Sequence, residues 1–237
     1  MSSSTPARIL VTGAGGFLGG NLIRQLLARG EHVRAGIRTD PATLRGLDVE
    51  KITLDVTDPG SMDEALVGID TVYHCAAVIS IDGDRTGQVQ HTNIQGPTVV
   101  AQACLDAGVR RLVHVSSVHS LHPEPSSPIA ETRALVPPHY WSAYARTKAE
   151  GERAILRAVE QGLDAVIVNP SGMIGPFDFK PSLLGLALVQ LYTRSIPALV
   201  NAGCMGFVTP RSFADDTALG PKERASRSAS HFFFAAA

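Results

Sequence analysis

The feature that most constrains this chain is a glycine cluster set between two elements of different period. Arg8–Thr12 is a short apolar run that predicts a buried strand. Phe17–Arg29 places Leu18, Leu22, Ile23, Leu26 and Leu27 on one helical face, and Gly30 stands in the usual helix-stop position. Between them lies Thr12-Gly13-Ala14-Gly15-Gly16-Phe17-Leu18-Gly19, in which Gly13, Gly16 and Gly19 form G-x-x-G-x-x-G. Such a unit needs glycine where torsions are unusual, where a diphosphate approaches the backbone, and where the helix packs on the strand. The helix start then offers N–H groups and a positive dipole end to phosphates. A glycine cluster alone is a weak signal, since an ordinary tight turn can also carry one. The strand before it, the helix after it and a further strand in the same unit favour a dinucleotide-binding loop.

Strand-like and helical patterns keep alternating. Strands are predicted over His32–Ile37, Lys51–Leu54, Thr71–Cys75, Arg111–Val115 and Ala165–Val168. Helices are predicted over Ser61–Val67, after the turn-forming Asp58-Pro59-Gly60, and over Val89–Ala107, Ala143–Glu160 and Pro181–Arg194. This alternation implies an α/β fold, a Rossmann-type doubly wound parallel sheet with helices on both faces. Residues 1–170 form the dinucleotide-binding domain, and 171–237 a small, partial substrate-binding region. From Ala202 onward no period is visible, and Ser226–Ala237, with Phe232, Phe233 and Phe234, receives no element.

Composition narrows the partners. The chain has 237 residues, 44% hydrophobic and 18% charged, with a formal charge of -1, which is a globular balance. No basic surplus points to nucleic acid or an anionic membrane. The most apolar tract, Leu183–Val200, is interrupted by Gln190 and Arg194 and makes a poor membrane span. Met1–Pro6 lacks an apolar signal core, and Cys75, Cys104 and Cys204 form no CxxC, which fits reduced thiols and a cytoplasmic location. His114, His119 and His122 are close in sequence but make no HxH or HExxH pattern, so no metal is expected.

The second strand ends Gly36-Ile37-Arg38. An acidic residue there holds a ribose 2′-hydroxyl, whereas arginine accommodates a 2′-phosphate. Arg38, helped by Arg45, therefore favours NADP(H) over NAD. Asp40 is the counter-argument, although it precedes Pro41 and also suits a turn or cap. Tyr144-Ala145-Arg146-Thr147-Lys148 is Y-x-x-x-K on a predicted helix, with both side chains on one face. A nearby ammonium favours phenolate, so Lys148 is expected to lower the Tyr144 pKa and fit it for proton transfer. Ser116 and Ser117 follow the fifth strand, at the sheet end where ligands of open α/β sheets bind. Glu150 and Glu152 read most simply as a solvated helix face.

With these motifs in this order, the chain resembles the extended short-chain dehydrogenase/reductases, from about Arg8 to Pro181. The glycine loop matches that family's nucleotide loop, with Gly13, Gly16, Phe17 and Leu18 at the cofactor. Asp55-Val56 matches the pair that contacts adenine. His74-Cys75-Ala76-Ala77 matches the fourth-strand motif along the cofactor, and Asn93 the asparagine of the next helix. Asn169-Pro170-Ser171-Gly172-Met173-Ile174-Gly175-Pro176 matches the loop beside nicotinamide and substrate, with Pro170, Gly172 and Met173 at the cofactor. The resemblance implies Tyr144 as general acid/base, Ser117 orienting the substrate oxygen, and Lys148 binding the nicotinamide ribose. Val33–Arg38 and Asn169-Pro170 resemble the dihydroflavonol-reductase-like branch. A homodimer is also implied, through the helix carrying Tyr144 and the long helix before the fifth strand.

Family members continue well beyond this chain, and Phe207-Val208-x-x-Arg211-x-x-Ala214-Asp215 is similar to a family segment only loosely. The expectation is an NADP(H)-dependent oxidoreductase reducing a ketone or aldehyde. The alternatives are a sugar-nucleotide epimerase/dehydratase with bound NAD, and a non-catalytic nucleotide-binding protein. The proline-rich stretch Pro123–Pro138 reads either as a flap over the substrate or as a passive loop. Tyr140 and Trp141 either wall the substrate site or pack the helix start.

Overall fold

The computed structural model describes residues 8–39, 41–80, 83–124, 130, 132–195, 207–209 and 230–234. Its centre is a parallel sheet. The strands in chain order are β1 (Arg8–Thr12), β2 (His32–Ile37), β3 (Glu50–Thr53), β4 (Thr71–His74), β5 (Arg111–Val115) and β6 (Ala165–Pro170). Two short strands, β7 (Gly172–Met173) and β8 (Phe207–Val208), pair with each other outside it. The last strand, β9 (Ser230–Phe234), returns to the sheet beside β6. The spatial order is β3-β2-β1-β4-β5-β6-β9. Chain direction across the sheet reverses between β1 and β4, which is where open α/β sheets leave a crevice at their carboxyl ends.

Side chains alternate between the two faces of each strand. Ile9, Val11, Val33, Ala35, Val113, Val166 and Val168 pack with Leu18, Leu22, Ile23 and Leu26 of α1 (Phe17–Ala28). Leu10, Val72, Leu112 and Ile167 face the other way. They meet Met62 and Leu66 of α2 (Pro59–Leu66), Val100 and Cys104 of α4 (Gly96–Asp106), and Ile155 of α5 (Ala143–Glu160). Each such side chain taken fully out of water contributes roughly 1.5–3 kcal/mol. Among the described residues no helix is long and apolar enough to cross a membrane.

Several expected boundaries shift for local reasons. Asp58-Pro59-Gly60 does not precede α2 as a turn but starts it. Asp58 caps the helix by accepting from the N–H groups of Gly60 and Ser61, and Pro59 occupies the first turn, where its missing N–H is harmless. The helix expected over Val89–Ala107 is α3 (Gln88–Gln90), a π-helical turn (His91–Gln95) and α4 in succession. A wider turn accommodates one extra residue without breaking the helix, and it directs Asn93 inward. The sixth strand continues through Pro170, so Asn169 belongs to the sheet. The predicted Pro181–Arg194 helix is α6 (Leu183–Tyr192), capped by Ser182. The stretch to which the sequence assigns no element supplies β9.

Candidate active site

The turn after β1 brings the glycine loop against the exit of β4. Gly13 has φ +64°, and a Cβ there would stand 2.7 Å from the Ala76 amide nitrogen and 2.8 Å from its Cα. A Cβ on Gly19 would stand 2.5 Å from the Gly13 carbonyl oxygen. These contacts hold loop, helix and β4 exit closer than any side chain permits. Thr12 fastens the same junction. Its Oγ1 hydrogen-bonds His74 Nδ1 at 2.9 Å and accepts from the Ala76 N–H at 3.3 Å.

Helices α2, α5 and α6 are each capped by a side chain, whereas α1 begins at Gly16 with no side-chain cap. Its first backbone N–H groups, at Phe17 and Leu18, thus meet no capping side chain and lie beside the glycine loop. A crevice of about 570 Å³ opens there, walled by Gly13, Gly15, Gly16, Arg38, Asp55, Val56, Ala76 and Ala77. The shape suits an extended nucleotide diphosphate: a loop without Cβ atoms, an uncapped helix start and a cation at the far wall.

Arg38 is exposed at the end of β2 and close enough to Asp55 to help depress its carboxyl. The larger causes of that depression are the Thr57 N–H and hydroxyl, both donated to Asp55 Oδ1, at 2.9 and 2.7 Å. Arg45 is exposed just after the 3-10 turn Ala42–Leu44, at a position outside the lining of the crevice. Asp40 lies outside the described residues. The crevice also takes in Thr43, Phe179 and Lys180, which the sequence reading missed. Thr43 donates to the Gly15 carbonyl at 3.1 Å, bracing the loop from behind. Nothing in the local pattern of Phe179 and Lys180 signals that their segment lies over a loop some 160 residues earlier.

Ser117, Tyr144 and Lys148 gather one strand further along, at the end of β5 and the first turns of α5. Ser117 is buried in extended backbone, and its Oγ accepts from the His119 N–H at 3.2 Å. The Tyr144 phenol lies near the Ser117 side chain, and its ring meets His119 edge-on at a centroid distance of 6.2 Å. Burial pushes the Tyr144 phenol up, and the neighbouring Ser117 hydroxyl pulls it down. Lys148 does not supply that downward pull, contrary to the sequence expectation. It is 3% exposed and donates from Nζ to the Val115 carbonyl at 2.7 Å. Burial lowers it to about 8, and Glu152 and Cys75 act in the opposite direction.

Glu152 is the clearest correction. It is no solvated face: its exposure is 0%. Its Oε2 accepts from Ser120 Oγ at 2.9 Å and from Asn169 Nδ2 at 3.0 Å. Those two donors also reach the Ser117 carbonyl, at 2.8 and 3.2 Å. The Asn169 amide is therefore turned into the protein beneath Ser117. Glu150, by contrast, is half-buried and pairs with Arg153 at 2.8 Å.

Asn93 joins the two halves of the site. Its amide exchanges hydrogen bonds with Val78, at 2.8 and 2.9 Å, and donates to Thr147 Oγ1 at 3.2 Å. Pro170 is buried at the end of β6, and Gly172 and Met173 are half-buried in β7. Cys75 is half-buried on the crevice wall and Cys104 is buried in the core; burial pushes both thiols up to about 12. Trp141 is exposed, while Tyr140 packs on Val136, Ala145 and Ala149. The base of the proline-rich stretch is tied down where the His122 N–H meets the Ala134 carbonyl and the Val136 N–H meets the Ser120 carbonyl. Pro125, Pro128 and Cys204 lie outside the described residues.

A model of the NAD dependent epimerase/dehydratase family matches residues 9–197. The chain belongs to that family. It is 42% identical over 205 residues to sterol demethylase protein B of Methylococcus capsulatus, covering 85% of this chain and 62% of that protein. It is 34% identical over 212 residues to dihydroflavonol 4-reductase of Hordeum vulgare, covering 76% of this chain and 58% of that one. It thus spans about three fifths of the length of these relatives. Among solved structures, the dTDP-glucose 4,6-dehydratase DesIV of Streptomyces venezuelae, with NAD bound, is similar. It has 27% identity and a TM-score of 0.79, over 97% of this chain and 76% of that one.

Proposed function

We propose that this chain carries the nucleotide-binding and catalytic groups of an NADP(H)-dependent reductase that converts a ketone or aldehyde to an alcohol. The observation that carries the reading is the gathering of Ser117 and Tyr144, with Lys148 one helical turn on, at the carboxyl end of β5 beside the crevice. Gly13, Gly16, Phe17 and Leu18 would hold the diphosphate, Asp55 and Val56 the adenine side, and Ala76 and Ala77 the floor. Arg38 would meet a 2′-phosphate, which favours NADP(H). Lys148 would hold the nicotinamide ribose, with Pro170, Gly172 and Met173 flanking the ring. When bound, the reduced nicotinamide supplies the hydride.

The chain's own groups manage the oxygen. Ser117 Oγ–H donates to the carbonyl oxygen and fixes its direction. Tyr144 gives up its phenolic proton to that oxygen as negative charge develops on it. The dihydroflavonol 4-reductase relative supports reduction. The likeness to a sugar-nucleotide dehydratase supports the other reading, in which bound NAD is used and regenerated.

The test is NADPH oxidation across a panel of aldehydes and ketones, with wild type and Tyr144→Phe side by side. Consumption that Tyr144→Phe abolishes while nucleotide binding persists supports the reductase. Tight binding without consumption overturns it.

A further inference from the structure

Glu152 has no part in the mechanism above, yet it is the most deeply buried carboxylate among the described residues. It sits one helical turn beyond Lys148, on the inward stripe of α5 that also holds Ala145, Ala149 and Ile155. An aliphatic side chain would fill that position without the several kcal/mol that burying an ion costs. Oε2 of the carboxylate nevertheless meets side chains from two other elements, Ser120 after β5 and Asn169 on β6. Both donors also bond the Ser117 carbonyl. One carboxylate thus lies behind both the main chain that aims the Ser117 hydroxyl and the ammonium of Lys148.

We propose that Glu152 is a positioning residue for the catalytic groups: it fixes the Ser117 main chain through Ser120 and Asn169, and it supplies the fixed negative charge beside Lys148. The inference rests on the catalytic reading of Ser117, Tyr144 and Lys148. Other groups around Lys148 do not replace this charge. From β4 it faces His74 and Cys75, and from β5 His114 and the Val115 carbonyl; Tyr144 and Glu152 share its own helix. Burial keeps both imidazoles deprotonated and holds the Cys75 thiol protonated, pushed up to about 12. Glu152, one helical turn on, raises Lys148 against its burial. Without it, Lys148 would lose its proton at a lower pH, and with it the charge proposed to hold the nicotinamide ribose.

The chain has only four lysines, Lys51, Lys148, Lys180 and Lys222. Lysine-labelled protein therefore gives resolvable side-chain NMR signals, and a Lys148→Met variant assigns the one of interest. The expected result is a Lys148 titration midpoint that falls by about one unit or more in Glu152→Gln. Glu152→Asp, which keeps the charge but withdraws it, gives a smaller fall and stands in if the glutamine variant does not fold. In turnover, the alkaline limb of kcat/KM for NADPH moves to lower pH by the same amount. An unshifted Lys148 midpoint in a folded variant overturns the proposal, whatever the turnover. Absence of carbonyl reduction by wild type would overturn the reductase reading alone, since the titration needs no substrate.

Discussion

Replacing Gly13 with alanine separates two penalties that Gly30 lets one measure independently. Both glycines have positive φ, +64° and +78°. An L-residue in that region costs about 1–2 kcal/mol. At Gly30 nothing lies within 4 Å of a new Cβ, so that strain is the whole effect. At Gly13 the Cβ lands 2.7–2.9 Å from backbone atoms of Cys75 and Ala76, which cannot rotate away. Overpacking of this kind adds about 1–3 kcal/mol. A domain of this size loses about 2–4 °C of Tm per kcal/mol. Gly30→Ala should then melt about 2–8 °C below wild type, and Gly13→Ala about 4–20 °C below. Relief of the overlap must part the loop from the β4 exit, displacing the N–H groups that the proposed function gives to phosphate. A loss of 1.4 kcal/mol there is tenfold in affinity. The NADPH Kd, measured by fluorescence titration, should rise at least about tenfold in Gly13→Ala and stay within about twofold in Gly30→Ala. Equal melting losses and an unchanged Kd in the two variants would refute the close-approach argument.

Arg38→Ala should weaken NADPH at least about tenfold while leaving NADH nearly unaffected, because only the former offers a 2′-phosphate; an unchanged ratio of the two Kd values removes the basis for NADP(H). Arg34 is 8% exposed in its side chain, pairs with Glu50 and donates to the carbonyls of Ala65 and Val67. Arg34→Met should cost about 1–3 kcal/mol in urea unfolding, since the buried Ala65 carbonyl and the partly buried Val67 carbonyl lose their donor, and a loss below the error of the measurement would rule that out. His74, lowered to about 3, and His114, also lowered, are neutral in the fold but protonate when unfolded. The unfolded chain therefore binds more protons below the ordinary histidine pKa, and stability falls as pH drops from about 6.5. By pH 5 His74 alone should have removed about 2 kcal/mol, and His114 acts in the same direction. Urea midpoints that stay flat from pH 7.5 to 5 would count against uncharged burial.

The sheet was readable because its signals are local and redundant. Each inner strand is a short apolar run closed by a turn residue, and the glycine loop fixes where the first helix begins. What the sequence hid needed a third dimension. Glu152 looks like any surface acid on a helix, and only its place four residues after Lys148 hints that it lies on the buried stripe. Asn169 was legible as part of a loop motif, but the direction of its amide depends on β6 lying beside Ser117. The π-helical turn at His91–Gln95 leaves no mark on the apolar pattern, since one added residue hardly alters a helical period. Phe179 and Lys180 reach the crevice only because of how the chain returns after β7. The pairing of β9 with β6 depends on contacts between stretches far apart in sequence, which local periodicity does not encode.

The amide of Asn93 holds Val78, part of the crevice wall, and Thr147, the neighbour of Lys148 in sequence. The wall and the helix of the catalytic pair are thereby clasped as one body. A displacement of the Val78 segment is passed to α5, which carries Tyr144 and Lys148, through a single side-chain amide.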